Sequence, residues 1–100
     1  MATIHEELNQ AELVRKALYA PTTIDNAVNA LSKAKDIAKA QQAVTSLSRE
    51  KALNNSRHEV VIAFNDLIRL LEKGVSSPGR TGEAKRAVED WVRELKLCGA

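Results

Sequence analysis

Residues 56–74 read SRHEVVIAFNDLIRLLEKG, and this stretch decides the fold. Ser56 and Glu59 have the spacing of a capping box, in which each side chain accepts a hydrogen bond from a free amide at a helix start. Beyond them, apolar residues recur at the spacing of one helix face: Val60, Val61, Phe64, Leu67, Ile68 and Leu71. We therefore predict a helix over 56–73 that forms the centre of the core.

Two helices precede this one. Thr3 and Glu6 again have the spacing of a capping box, and the apolar residues that follow predict a helix over about 3–19. Pro21 ends it, because proline disfavours the helical conformation of the residue before it. Thr22 or Thr23 is placed to cap a second helix.

The long segment between Pro21 and Gly74 contains neither proline nor glycine, so another signal must divide it. Residues 54–56, Asn-Asn-Ser, are the best candidates, since asparagine tolerates the left-handed conformation that follows a helix. We predict helices over about 23–53 and 56–73 joined by a tight turn. A single unbroken helix over 23–73 is the alternative.

Residues 74–82 are rich in glycine, serine and proline and predict a loop. A final helix over about 83–97 places Trp91 on its apolar stripe. The chain is thus predicted to be one all-α domain over residues 1–100. Its architecture is either a small four-helix bundle or a long helical hairpin packed by two shorter helices.

The apolar stripe of the second helix wanders around the cylinder. Ile24, Val28 and Leu31 share one side, whereas Ile37 and Val44 lie nearly opposite. Either the helix bends or breaks near residues 35–42, or its halves bury against different neighbours. A second copy of the chain is one such neighbour, so we include a homo-oligomer among the expected states.

The composition points away from several function classes. The chain is 44% hydrophobic and 28% charged, with no apolar run long enough to cross a membrane and no secretory pattern at its start, so we expect a cytoplasmic protein. Cys98 is a lone cysteine, and neither His5 nor His58 has ligands at metal-binding spacing. No nucleophile motif is present either, and we expect most carboxylates to face water beside basic neighbours instead of forming an acid–base pair. We therefore expect no enzyme, no cofactor and no metal.

Basic charge is concentrated in the middle of the chain. Residues 33–58 carry six basic and two acidic residues, a net charge of +4; the basic ones are Lys33, Lys35, Lys39, Arg49, Lys51 and Arg57. Five residues follow steps of four and three along about 21 Å of one helix face, and we call them the basic ridge: Lys35, Lys39, Gln42, Ser46 and Arg49.

The basic ridge has three readings. It is an ordinary solvated helix face, a surface that attracts a larger protein partner with an acidic surface, or a set of phosphate contacts for nucleic acid. Aromatic residues for stacking bases are absent from this segment, which disfavours nucleic acid. By elimination, we expect a non-enzymatic protein-interaction module: a small adaptor, assembly factor or protein inhibitor. A nucleic-acid-binding protein that uses the basic ridge is the alternative. Its expected phosphate contacts are the six basic residues of this segment: Lys33, Lys35, Lys39, Arg49, Lys51 and Arg57.

Overall fold

Four helices make up most of the chain in the computed structural model, which describes residues 3–20, 22–44 and 50–99. They are α1 (Ile4–Tyr19), α2 (Ile24–Val44), α3 (Lys51–Glu72) and α4 (Pro78–Leu97). The described ranges contain no strand, and the prediction of an all-α fold is confirmed. Of the two architectures, the small four-helix bundle is the one present.

The helices stand at the corners of a square. Each packs against its two neighbours, in the order α1, α2, α3, α4 and back to α1, and the diagonal pairs make no close backbone contact. The bundle measures 39 × 21 × 19 Å along its principal axes. Because α2 and α3 pack against each other, the alternative of one unbroken helix over 23–73 is wrong.

The core lies between the four helices and is built largely from aliphatic side chains, with Phe64 and Trp91 as its largest members. Both are fully buried, so Trp91 belongs to the core as its position on the α4 stripe predicts. No helix in the described part of the chain combines the length and the apolar character needed to span a bilayer.

The predicted start and end of α1 and the start of α2 are confirmed. The Thr3 hydroxyl accepts a hydrogen bond from the Glu6 amide, and the Thr23 hydroxyl accepts one from the Asn26 amide, each over 3.1 Å. Each bond satisfies an amide that has no partner within its helix. Ala20, the residue before Pro21, is extended and closes α1.

The predicted turn at residues 54–56 is wrong, because these residues lie inside α3, which begins at Lys51. Leu53 is fully buried, and Asn54 Oδ1 accepts a 2.6 Å hydrogen bond from Arg57 Nη1 on the next helical turn. Core packing thus overrides the weak helix propensity of asparagine. The second helix accordingly ends at Val44 instead of near residue 53.

The predicted loop over 74–82 is too long, since α4 begins at Pro78. Proline suits the first helical position because its missing N–H would have no partner there, and the Ser77 hydroxyl caps the Arg80 amide. The chain reverses direction directly after α3, at Gly74. Gly74 adopts φ +71°, and the amides of Gly74 and Val75 donate to the carbonyls of Leu71 and Leu70 in a Schellman motif.

The stripe of α2 is straighter than predicted, and the helix is continuous through residues 35–42. Its buried positions are Leu31, Ala34, Ala38 and Gln41, at steps of three and four. Beyond Leu31 the buried face of α2 is formed by two alanines and one glutamine instead of large apolar residues. Of the two explanations for the wandering pattern, a break near 35–42 is therefore wrong.

Candidate interaction surface

A polar cluster at the centre of the bundle is the most unusual feature of the interior. It joins one residue from each helix: Glu7 of α1, Gln41 of α2, Arg57 of α3 and Trp91 of α4. Glu7 and Trp91 are 0% exposed, and Arg57 is 2% exposed. Such buried charges require partners, because desolvation costs several kcal/mol per ion.

The Glu7 carboxylate provides the acceptors that hold this cluster together. Its Oε2 accepts hydrogen bonds from Arg57 Nε and Trp91 Nε1, both over 2.8 Å. Its Oε1 accepts a 2.8 Å bond from Arg57 Nη2 and a longer one from Gln41 Nε2, over 3.5 Å. The arginine and the carboxylate thus form a two-bond pair of fixed geometry. Among the described residues, every buried polar side-chain atom has a partner.

The cluster changes the list of candidate binding residues. Arg57 belongs to the basic middle of the chain and was expected among the phosphate contacts of the nucleic-acid alternative. That assignment is wrong, because its guanidinium lies in the core against Glu7 and is closed to solvent. The accessible basic charge of the described middle segment is carried by lysines.

The basic ridge is only partly described. Lys39 is exposed, and Lys35 and Gln42 are half-buried on the flank of α2. The ridge therefore borders the buried stripe instead of lying on the outermost face of the helix. Ser46 and Arg49, its remaining members, lie outside the described residues.

This flank of α2 faces α3. Gln41 lies at one edge of the buried stripe and reaches Glu7 of α1 from there. At 100° per residue, Lys35 and Gln42 lie about 100–120° away from Gln41 around the axis, on the other edge of the stripe. Since α1 and α3 are the two neighbours of α2, the ridge borders the outer seam between α2 and α3.

The lysines of α2 are free to meet a partner. Within the described ranges, Lys33, Lys35 and Lys39 form no ion pair. The α1–α4 side of the bundle differs: Arg15 pairs with Glu89, Lys96 with Glu12, and the Lys85 ammonium lies 4.8 Å from the centre of the Tyr19 ring. Charges that are already paired with neighbours are less available to a partner than the α2 lysines.

A groove of about 360 Å³ runs between α3 and α4, next to the α2–α3 seam. Ile62, Ala63 and Ala87 supply its apolar part, and Ile62 is 46% exposed. Four carboxylates and two guanidiniums surround it, a net charge of −2: Glu59, Asp66, Glu83, Asp90, Arg80 and Arg86. The two flanks of α3 therefore carry opposite charge, basic beside α2 and acidic beside α4.

Other reactive groups do not gather into a site in the described part of the chain. No three side chains of His, Cys, Asp or Glu there lie close enough together to hold a metal ion. Cys98 is half-buried at the end of α4, and burial, with smaller contributions from Glu50 and Glu94, raises the pKa of its thiol. A raised pKa lowers the thiolate fraction and with it the reactivity of the sulfur.

Comparisons with protein-family models, with curated proteins and with solved structures give no match to this chain.

Sequence reasoning did not identify the Glu7 cluster, because it expected the carboxylates to face water beside basic neighbours. The missed signal is a charged residue inside an apolar row. Glu7 precedes the buried Ala11 and Val14 by four and seven residues, and Arg57 lies between the buried Leu53 and Val60. An acidic residue in the core-facing row of α1 and a basic residue in the core-facing row of α3 together indicate an internal ion pair.

Proposed function

We propose that this protein is a non-enzymatic protein-interaction module, such as a small adaptor, assembly factor or protein inhibitor, that works in the cytoplasm. Lys35 and Lys39 of α2 dock against an acidic surface on a larger partner protein. Gln42 contributes a hydrogen bond, and Ser46 and Arg49 are the proposed continuation of the contact.

The observation that carries this proposal is the set of free ammonium groups on α2. Lys33, Lys35 and Lys39 make no ion pair within the described residues, whereas Arg57 is neutralised in the core. Unpaired surface cations attract an acidic surface over roughly a Debye length, about 8–10 Å at physiological salt. Long lysine side chains also cover apolar surface with their methylene stems when they dock.

The test is capture of partners from an extract of the source organism with the tagged protein, after nuclease treatment and at two salt concentrations. The test variant is Lys35→Glu/Lys39→Glu. The matched control is Lys16→Glu/Lys73→Glu, which makes the same change in net charge at exposed positions outside α2. Circular dichroism confirms that all variants are folded.

We expect a stoichiometric protein that survives nuclease treatment, is retained by the control and is lost with the α2 variant. Loss of all recovery after nuclease treatment would move the function to nucleic acid, where affinity falls steeply with salt. Equal capture by both variants would exclude α2 as the docking surface.

A further inference from the structure

The exposed side of α3 has an apolar centre between two flanks of opposite charge. Ile62 is half-exposed at the centre, Glu59 and Asp66 lie with it around the α3–α4 groove, and Lys35 and Lys39 of α2 border the other flank. Neither Glu59 nor Lys39 makes an ion pair within the described residues. A surface with this arrangement is complementary to a second copy of itself.

The level of each charge along the bundle follows from the buried cluster. Gln41 of α2 and Arg57 of α3 both bind Glu7, so the two residues lie at about the same level. Ile24 lies beside Leu67 and Leu71, so the two helices run antiparallel. Counting two residues back along α2 and two forward along α3 places Lys39 level with Glu59.

We propose that a second copy of this chain docks on this side through a two-fold axis parallel to the helices. Rotation about such an axis leaves each residue at its height along the bundle and places the α2 flank of one copy opposite the α4 flank of the other. Glu59 of the second copy therefore lies opposite Lys39. The same contact recurs on the other side of the axis. The two Ile62 side chains meet near the axis. Residue and counter-residue exchange as an isologous interface requires.

This inference rests on the proposed function, because it names what covers the α2 lysines when the larger partner is absent. The dimer and the acidic partner compete for Lys39, so dimerisation limits partner binding. The whole side of the bundle is 39 Å long and about 20 Å wide, so it offers at most roughly 800 Å² per copy, and an interface of standard size takes about that much from each partner.

Charge-reversal variants at the proposed contact test the dimer. Sedimentation velocity over about two decades of protein concentration compares the unmodified chain with Lys39→Glu, Glu59→Lys and the double variant. Each single reversal turns two attractions into two repulsions, and we expect it to weaken dimerisation by about tenfold or more. The double variant restores the pairs with their signs exchanged and should associate within about threefold of the unmodified chain.

Matched reversals at Glu6 and Lys16 of α1, the helix diagonal to α3, should leave dimerisation unchanged. A monomer at every concentration would overturn the inference, as would a dimer that withstands the single reversals or is not restored in the double variant.

The same variants separate this inference from the proposed function. Glu59→Lys weakens the dimer and leaves Lys39 in place, so capture of the acidic partner should be retained or increased. Lys39→Glu should remove both interactions. A monomeric protein whose partner capture still depends on Lys39 would refute the dimer and leave the proposed function standing. A dimer that behaves as expected, with capture indifferent to Lys39, would refute the proposed function alone.

Discussion

Replacing Glu7 by leucine should destabilise the protein far more than removing any surface carboxylate. The substitution keeps a side chain of similar volume in the core and removes the charge that Arg57 and Trp91 bind. The Arg57 guanidinium, 2% exposed, then loses the carboxylate that accepts two of its hydrogen bonds. The Trp91 indole N–H loses its acceptor as well.

The size of the effect follows from these contacts. Breaking a buried ion pair by removing one partner costs about 3–5 kcal/mol, because a desolvated charge is left without compensation. A domain of this size has about 5–15 kcal/mol of total stability, so Glu7→Leu removes a third or more of it over most of this range. With a urea m-value of about 1.5 kcal/mol/M, the midpoint falls by about 2–3 M.

Urea unfolding followed by far-UV circular dichroism measures this shift. Glu12→Leu is the matched control: it lies on the same helix and pairs with Arg15 and Lys96, but its side chain is 40% exposed. Exposed pairs contribute about 0.2–1 kcal/mol, so the control should move the midpoint by well under 1 M.

A double variant examines the reason for the effect. In Glu7→Leu/Arg57→Met both charges are gone, and apolar replacements of a buried pair are often neutral or stabilising, so most of the lost stability should return. The coupling energy of the cycle should exceed about 2 kcal/mol. A cost below about 1 kcal/mol for Glu7→Leu, or losses that simply add in the double variant, would refute the account of Glu7 as the acceptor at the centre of the core.

Three further predictions concern single side chains. Trp91→Phe keeps an aromatic ring but removes the donor to Glu7 Oε2, and it should cost about 1–3 kcal/mol in thermal unfolding; an unchanged Tm would contradict the hydrogen bond. Thr23→Ala should cost about 1 kcal/mol, because the Asn26 amide loses its cap, and Thr23→Ser should recover most of that loss. The raised pKa of the Cys98 thiol predicts that native protein reacts with iodoacetamide at pH 8 more slowly than urea-unfolded protein, where the thiol titrates normally; equal rates would exclude the effect.

Local signals in the sequence predicted some features of this fold well. The Thr3 and Thr23 caps, the end of α1 before Pro21 and the burial of Trp91 were all expected from the sequence and are present. Each depends on chemistry within about one helical turn or on a clear apolar row. Such features change little with tertiary context.

The errors arose where tertiary packing outweighed a local preference. Residues 54–56 have the composition of a turn, yet they are helical because Leu53 and Arg57 on either side are drawn into the core. Gly79 and Gly82 indicated a loop, but nothing lies within 4 Å of a Cβ built at either position, so the structure does not require glycine there. Hydrophobic periodicity also missed the buried Gln41, whose side-chain amide donates a hydrogen bond to a carboxylate 34 residues away.

The buried cluster also changes what the surface charge means. Glu7 and Arg57 cancel each other inside the bundle, so the formal charge of +2 is carried by the remaining residues. Several arginines are held in fixed pairs, Arg15 with Glu89 and Arg80 with Asp66 and Glu83, whereas the α2 lysines are left unpaired within the described ranges. Lysine presents a mobile, strongly hydrated point charge with no fixed donor geometry. A surface built from such groups favours fast, salt-sensitive attraction over strict shape selection, and the specificity of the proposed dimer then depends on the apolar contact at Ile62.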